Sequence, residues 1–337
     1  MINKKIRKEI LSWSISFILA VLIVNLSLYV IYRPAAWIDT EYNATHGLFA
    51  PNSKIVYGEE GYGIRPVDSN GYANPSYRLN YDSYILFLGS SHTVGKELMF
   101  GKNYVDILES KYNCRVYNMA MDGHYYCDII SGFNSAIKQF PNAECVVIEI
   151  DSTDFSEEEL LVALSSRQYY GPHYITEKMC SLSPKDKFKY FYQKYFPIVR
   201  AINKNIKANN NATYSSEMAT DNIESAKYEE KINQTLYSLK ADFSGKIIIA
   251  YHPPIQLSDD GSIIIQDSNT KNIFMNCCKE SGIVFLDLTD KIISEYNNNF
   301  VLPYGFCNSA YGKGHLNSTG HMLMAELIYQ ELRDVQR

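Results

Sequence analysis

The sequence predicts an α/β fold, a three-layer αβα sandwich built on a parallel sheet and preceded by an N-terminal transmembrane helix. Three observations carry this. From Tyr84 onward, short apolar runs alternate with helical segments. The runs lack polar alternation, as strands covered on both faces do. And Ile10 to Tyr32 has no charged side chain, behind a cluster of Lys4, Lys5, Arg7 and Lys8.

The leading apolar run is about 23 residues long and as a helix reaches roughly 34 Å, enough to cross a hydrocarbon core. The basic cluster ahead of it predicts a cytoplasmic N-terminus, with everything after Arg33 outside. A cleaved signal peptide is the alternative. Its apolar region would be about 7 to 15 residues, and the small-residue pair Ala35-Ala36 is a weak cleavage site. The expectation is a single-pass cell-membrane protein with an extracytoplasmic domain. Residues 1–33 form the tail and anchor, meeting the bilayer through 10–32. Residues 34–80, rich in Gly, Tyr, Asn and Pro, form an irregular lead-in, and 81–337 form the α/β domain.

Within that domain the pattern predicts strands at Ile85–Leu88, Arg115–Met119, Cys145–Ile150, Lys246–Tyr251 and Ile283–Leu288. Helices fall at Asn103–Tyr112, Asp128–Phe140, Thr270–Ser281 and Thr319–Leu332. Between Phe155 and Phe243 the rhythm breaks. An aromatic, basic segment runs from Lys187 to Phe196, a mostly polar run from Asn203 to Asn222, and a helix to about Leu239. This predicts an inserted, mainly helical cap at about 156–243. Folds of this class put their chemistry at the carboxyl ends of the strands.

Composition narrows the function. The net charge is −5 and includes the basic anchor, so the outer part is more acidic still. No basic stripe or nucleic-acid motif is present, which excludes nucleic acid as a main partner. The seven cysteines form no Cys-x-x-Cys, and no His/Cys spacing fits zinc, so no metal or cofactor is expected. Tyrosine is abundant at 28 residues, with Tyr125, Tyr126, Tyr169 and Tyr170 near the expected mouth. Aromatic faces with a hydroxyl suit sugar rings.

Two segments hold the chemistry. Ile85 to Leu88 runs into Gly89-Ser90-Ser91-His92, which puts a serine hydroxyl at a strand end. Gly314-His315-Leu316-Asn317 puts a histidine just ahead of the last helix. A serine and an imidazole are the minimum for serine-based acyl transfer. His92 and His252 fall near the same strand ends and are candidate pocket residues. His252 is also an alternative base.

These segments resemble the SGNH/GDSL hydrolase superfamily over about Tyr84 to Leu332, and the resemblance implies a flavodoxin-like α/β domain. By it, Ser91 takes the nucleophile position, with Ser90 where the family has aspartate. Gly123, in Asn118-Met119-Ala120-Met121-Asp122-Gly123, takes the place of the oxyanion-hole glycine. In Ile150-Asp151-Ser152-Thr153-Asp154, Thr153 stands where the family has its oxyanion-binding asparagine, and Asp154 falls on the following aspartate and is a third candidate pocket residue. His315 takes the place of the base. The family's orienting acid lies three residues earlier, where this chain has Gly312. A backbone carbonyl, Asn308 or a distant carboxylate must then fix the far ring nitrogen. The resemblance implies a serine esterase acting on O-acyl, most simply O-acetyl, groups of a cell-envelope carbohydrate. An O-acyltransferase onto a surface polysaccharide and a non-catalytic glycan-binding protein are the alternatives.

Overall fold

The computed structural model describes residues 4–31, 37–38, 48–49, 51–165, 181–196, 198, 224–258 and 260–333. The chain opens with α1 (Lys4–Ile31), an apolar helix whose large side chains are almost all exposed. Its Lys5–Tyr29 stretch is long and apolar enough to cross a membrane, and a signal sequence passes the same test. Two short antiparallel pairs follow: β1 (Trp37–Ile38) with β2 (Leu48–Phe49), and β3 (Lys54–Tyr57) with β4 (Gly63–Pro66).

The domain proper is a five-stranded parallel sheet. In chain order its strands are β5 (Tyr84–Leu88), β6 (Val116–Asn118), β7 (Ala143–Ile150), β8 (Lys246–Tyr251) and β11 (Val284–Asp287). They lie side by side as β11-β8-β7-β5-β6. From the other edge this is second, first, third, fourth, fifth, the doubly wound order whose chain direction reverses between the first and third strands. A ligand crevice is expected there, beyond the carboxyl ends of β5 and β7. An outlying hairpin, β9 (Ile255–Leu257) with β10 (Ile263–Ile265), follows β8.

Period-two alternation assigns the strands' side chains to two cores. Leu86, Leu88, Val146, Ile148, Ile247 and Ile249 face one way, against α4 (Tyr126–Gln139), α7 (Ser225–Asp242) and α8 (Lys271–Glu280). Ile85, Phe87, Cys145, Val147, Ile248 and Ala250 face the other, against α3 (Tyr104–Tyr112), α9 (Thr289–Asn299) and α10 (Ser318–Leu332). Side chains fix several helix starts: Asn103 Oδ1 accepts from Val105 N at 2.7 Å for α3, and Asn317 Oδ1 from Thr319 N at 2.9 Å for α10. Short α5 (Glu157–Ala163) starts on a Ser156/Glu159 capping box. The described cysteines are free, and all but Cys307 are buried.

The expected cap divides. Its last helix, α7, is no cap: Tyr228, Ile232, Leu236 and Leu239 are buried against the sheet, so it is the crossover between β7 and β8. The aromatic, basic segment forms α6 (Pro184–Tyr195). The polar run 203–222 lies outside the described residues. The lead-in is more ordered than its composition suggests. Arg65 and Arg78 both reach Asp106 of α3, at 2.7 and 2.9 Å, and Arg78 also pairs with Glu109 at 2.8 Å. Asp68 accepts from the Tyr117 hydroxyl of β6 at 2.9 Å, and burial raises its carboxyl to about 6. Residues 51–80 are thus bolted to the sheet through buried charge.

Candidate active site

Ser91 follows β5 at the crevice predicted by the strand order. The turn leading to it is made by Gly89, Ser90 and the one-turn helix α2 (Ser91–Val94). A Cβ on Gly89 would lie 2.1 Å from Thr93 Oγ1 and 2.6 Å from Glu149 Oε2, so only glycine fits. Glu149, near the end of β7, holds the turn from beneath. Its Oε2 accepts from Ser90 N at 2.8 Å, Ser90 Oγ at 3.0 Å and Thr93 Oγ1 at 2.8 Å. Its Oε1 lies 2.8 Å from His252 Nε2, and the far nitrogen of His252 lies 2.9 Å from the Tyr304 hydroxyl. Burial alone would raise the Glu149 carboxyl. The His252 hydrogen bond and charge and the Ser90 amide outweigh it and hold the carboxyl well below the usual range.

The imidazole comes from a segment 224 positions further along the chain. His315 lies in the segment before α10, fixed by Gly305 N–H donating to its carbonyl at 2.9 Å. Its Nε2 lies 2.8 Å from Ser91 Oγ. Its Nδ1 lies 2.6 Å from Glu60 Oε2, while its own backbone N–H donates to Glu60 Oε1 at 2.9 Å. A carboxylate at Nδ1 demands a proton there, which leaves Nε2 a lone pair for the serine proton. The carboxylate at Nδ1 is thus that of Glu60, in the turn between β3 and β4.

Two features hold Glu60 in reach. Asn308 clamps its turn, accepting from Gly61 N at 2.8 Å and donating to Gly61 O at 2.9 Å and Gly58 O at 3.2 Å. Gly314 adopts φ +82°, and a Cβ there would lie 2.3 Å from Glu60 Oε1. Glycine is required on both counts.

A second carboxylate, Glu97, lies 3.7 Å from His315 Nδ1. It is buried, and its Oε1 has no hydrogen-bond partner. Burial raises its carboxyl to about 7, against the lowering by His315 and Lys96. For His315, burial works against the charged ring, but the Glu97 charge and the Glu60 hydrogen bond outweigh it. The imidazole pKa is raised above its ordinary value.

Gly123 sits at φ +73° in a turn closed by His124 N–H to Met121 O at 3.2 Å. Met121 N–H in turn donates to Gly89 O at 3.2 Å, which lays this turn alongside the Gly89–Ser91 turn. Lys96 and Asp122 pair across it. Among the described residues, neither the Ser91 nor the Gly123 N–H meets an acceptor.

The other candidates have structural partners. The Thr153 side chain is fully buried, with its hydroxyl 3.1 Å from Thr270 Oγ1 and its N–H donating to Ser268 Oγ at 2.9 Å. This corrects its expected place in the oxyanion hole. Asp154 accepts from Thr270 N at 2.9 Å and Asn269 N at 3.1 Å, and so caps the start of α8 rather than lining a pocket. His252 is fully buried beneath the Gly89–Ser91 turn, again not a pocket wall. His92 is buried between His252 and His315, with ring centroids 4.5 and 5.0 Å away. Its Nδ1 accepts from Leu316 N at 3.2 Å, and burial pushes its pKa well below the ordinary value. It packs as a neutral ring against His315. His321 accepts from Tyr104 N at 3.2 Å and stacks on that ring, a local packing role. Among the described residues no group of His, Cys, Asp and Glu could hold a metal ion.

Glu60, Glu97 and Glu149 were missed by the sequence reasoning. Glu149 has a signal, a carboxylate inside an otherwise apolar strand. Glu60 has none, because only the fold brings it to His315.

Comparison with known proteins gives a loose result. No family model matches the chain, and no curated protein does. Among solved structures, it is similar to a protein of Desulfitobacterium hafniense DCB-2 described as lipolytic and of the G-D-S-L family. That match has 12% identity and a TM-score of 0.37, covering 74% of this chain and 98% of that one. It is similar to the acetyl xylan esterase AlAXEase at 11% identity and TM-score 0.39, covering 74% and 99%. It is also similar to an extracellular lipase of Streptomyces rimosus at 11% identity and TM-score 0.36, covering 74% and 99%. Overlaps this loose assign neither residues nor a reaction.

Proposed function

We propose that the chain is a membrane-anchored serine esterase in which Ser91, His315 and Glu60 act as the catalytic triad. The observation that carries this is the unbroken line from Ser91 Oγ through the two ring nitrogens of His315 to Glu60, at 2.8 and 2.6 Å. Ser91 Oγ attacks an ester carbonyl and His315 Nε2 takes its proton. Glu60 holds the Nδ1 proton and stabilises the charged ring. The unpartnered N–H groups of Ser91 and Gly123 receive the oxyanion. His315 then protonates the departing alcohol, and water, activated by the same nitrogen, releases the acyl group from Ser91.

The substrate class proposed is an O-acylated carbohydrate of the cell envelope. Three exposed tyrosines support it: Tyr62 follows the Glu60 turn, Tyr125 follows Gly123, and Tyr311 precedes His315. Their flat faces suit sugar rings flanking the scissile ester. Anchoring is supported by the basic cluster in the first turns of α1, ahead of its exposed, apolar remainder.

A fluorophosphonate probe tests the core of this reading. The full chain is expected to be labelled at Ser91, and Ser91→Ala to lose the label. Equal labelling in that variant would overturn the assignment, and no labelling of either would favour a non-catalytic glycan-binding protein. Incubation with an acetyl ester, with and without an oligosaccharide acceptor, separates hydrolysis from acyl transfer.

A further inference from the structure

The aromatic, basic helix α6 has no part in the site, yet its make-up is specific. Stepping roughly 100° per residue, Phe188, Phe191 and Tyr195 share one face, and each is exposed, Phe188 by 68%. Phe196, just past the helix end, is exposed as well. Lys185 and Lys187 fall on opposite borders of that face. Asp186 falls on the far side, where Ser183 Oγ accepts from its N–H at 3.2 Å and starts the helix. An aromatic face edged by lysines on both sides, in a protein of net charge −5, is the pattern of a helix lying in a membrane interface.

The end of α6 meets α1. Asn25 is a polar residue inside the apolar stretch, and such a residue seeks partners for its amide. Its Nδ2 donates to Tyr195 O at 3.1 Å, and its Oδ1 accepts from Ile198 N at 3.4 Å. The half-covered residues of α1, Val21, Asn25, Leu28 and Tyr29, form one stripe in the same half of the helix. Asn25 lies six positions before Ile31, about 9 Å at the helical rise. That matches the roughly 5–10 Å to which interfacial helices sink below the head groups.

We propose that α6 is a second membrane contact, lying in the leaflet at the Ile31 end of α1. Its aromatic face enters the acyl boundary and its lysines meet anionic head groups, with Asn25 locking it to the span. This rests on the reading of α1 as a retained anchor.

The test uses the full chain in lipid nanodiscs containing phosphatidylglycerol. Cys180 and Cys307 are replaced by Ser, and a single NBD label is placed at Phe191→Cys or, as a control within the span, at Leu19→Cys. The expected result is blue-shifted emission at both positions, quenched by spin-labelled lipid. Adding Lys185→Glu and Lys187→Glu should return the position-191 signal toward that of water. Water-like, unquenched emission at 191 with a quenched control would overturn the contact while leaving the anchor intact. Loss of quenching at both positions would overturn the anchor, and this contact with it.

Discussion

Glu60 and Glu97 both face His315 Nδ1, at 2.6 and 3.7 Å, and do different work. Glu60 accepts the ring proton, so Glu60→Gln leaves an amide whose NH2 favours the wrong tautomer. Its kcat is expected to fall by about 10³- to 10⁴-fold, with Tm little changed. Glu97 acts through charge. The base must be neutral to take the Ser91 proton, so activity rises with pH through the His315 pKa, which is raised above 6.5. After burial, which opposes it, the Glu97 charge is the largest single influence raising it, ahead of the Glu60 hydrogen bond and the Glu60 charge. Glu97→Gln should therefore move the ascending limb of kcat/KM to lower pH, and a limb that stays in place would remove Glu97 from this role.

At the scale of elements, the serine turn and the histidine segment were legible because each sits at a boundary of a periodic pattern. Ser91 follows an apolar strand, and His315 precedes a capped helix. Glu60 was not, because its turn has no pattern of its own and its reach is set by Asn308 and Gly314. Asn308 is exposed, so Asn308→Ala should cost at most about 1 kcal/mol of stability. Its kcat should nevertheless drop roughly ten- to a hundredfold as the acid drifts, with KM nearly unchanged. Equal losses in KM and Tm would instead mean that the turn is merely structural. The core role of α7 is hidden in the sequence for a related reason: the helix follows a polar run, which masks its apolar face.

On the scale of the whole molecule, the α/β alternation predicted the sheet, because strands buried on both faces write their position in unbroken apolar runs. What alternation cannot show is charge pairing across distant segments, such as Arg65 and Arg78 on Asp106. Asp106→Asn would leave two buried guanidinium groups poorly compensated and should cost about 3–5 kcal/mol, measurable by chemical denaturation. Activity should fall with it, since the same lead-in delivers Glu60. In the proposed anchored esterase, the acid and the tether belong to one continuous stretch ahead of the sheet. A protease cutting between Tyr62 and Tyr84 would sever both from the body that carries Ser91 and His315, leaving Glu60 held only by contacts such as the Asn308 clamp. Loss of that severed segment would take the carboxylate from His315 in the same event that frees the body.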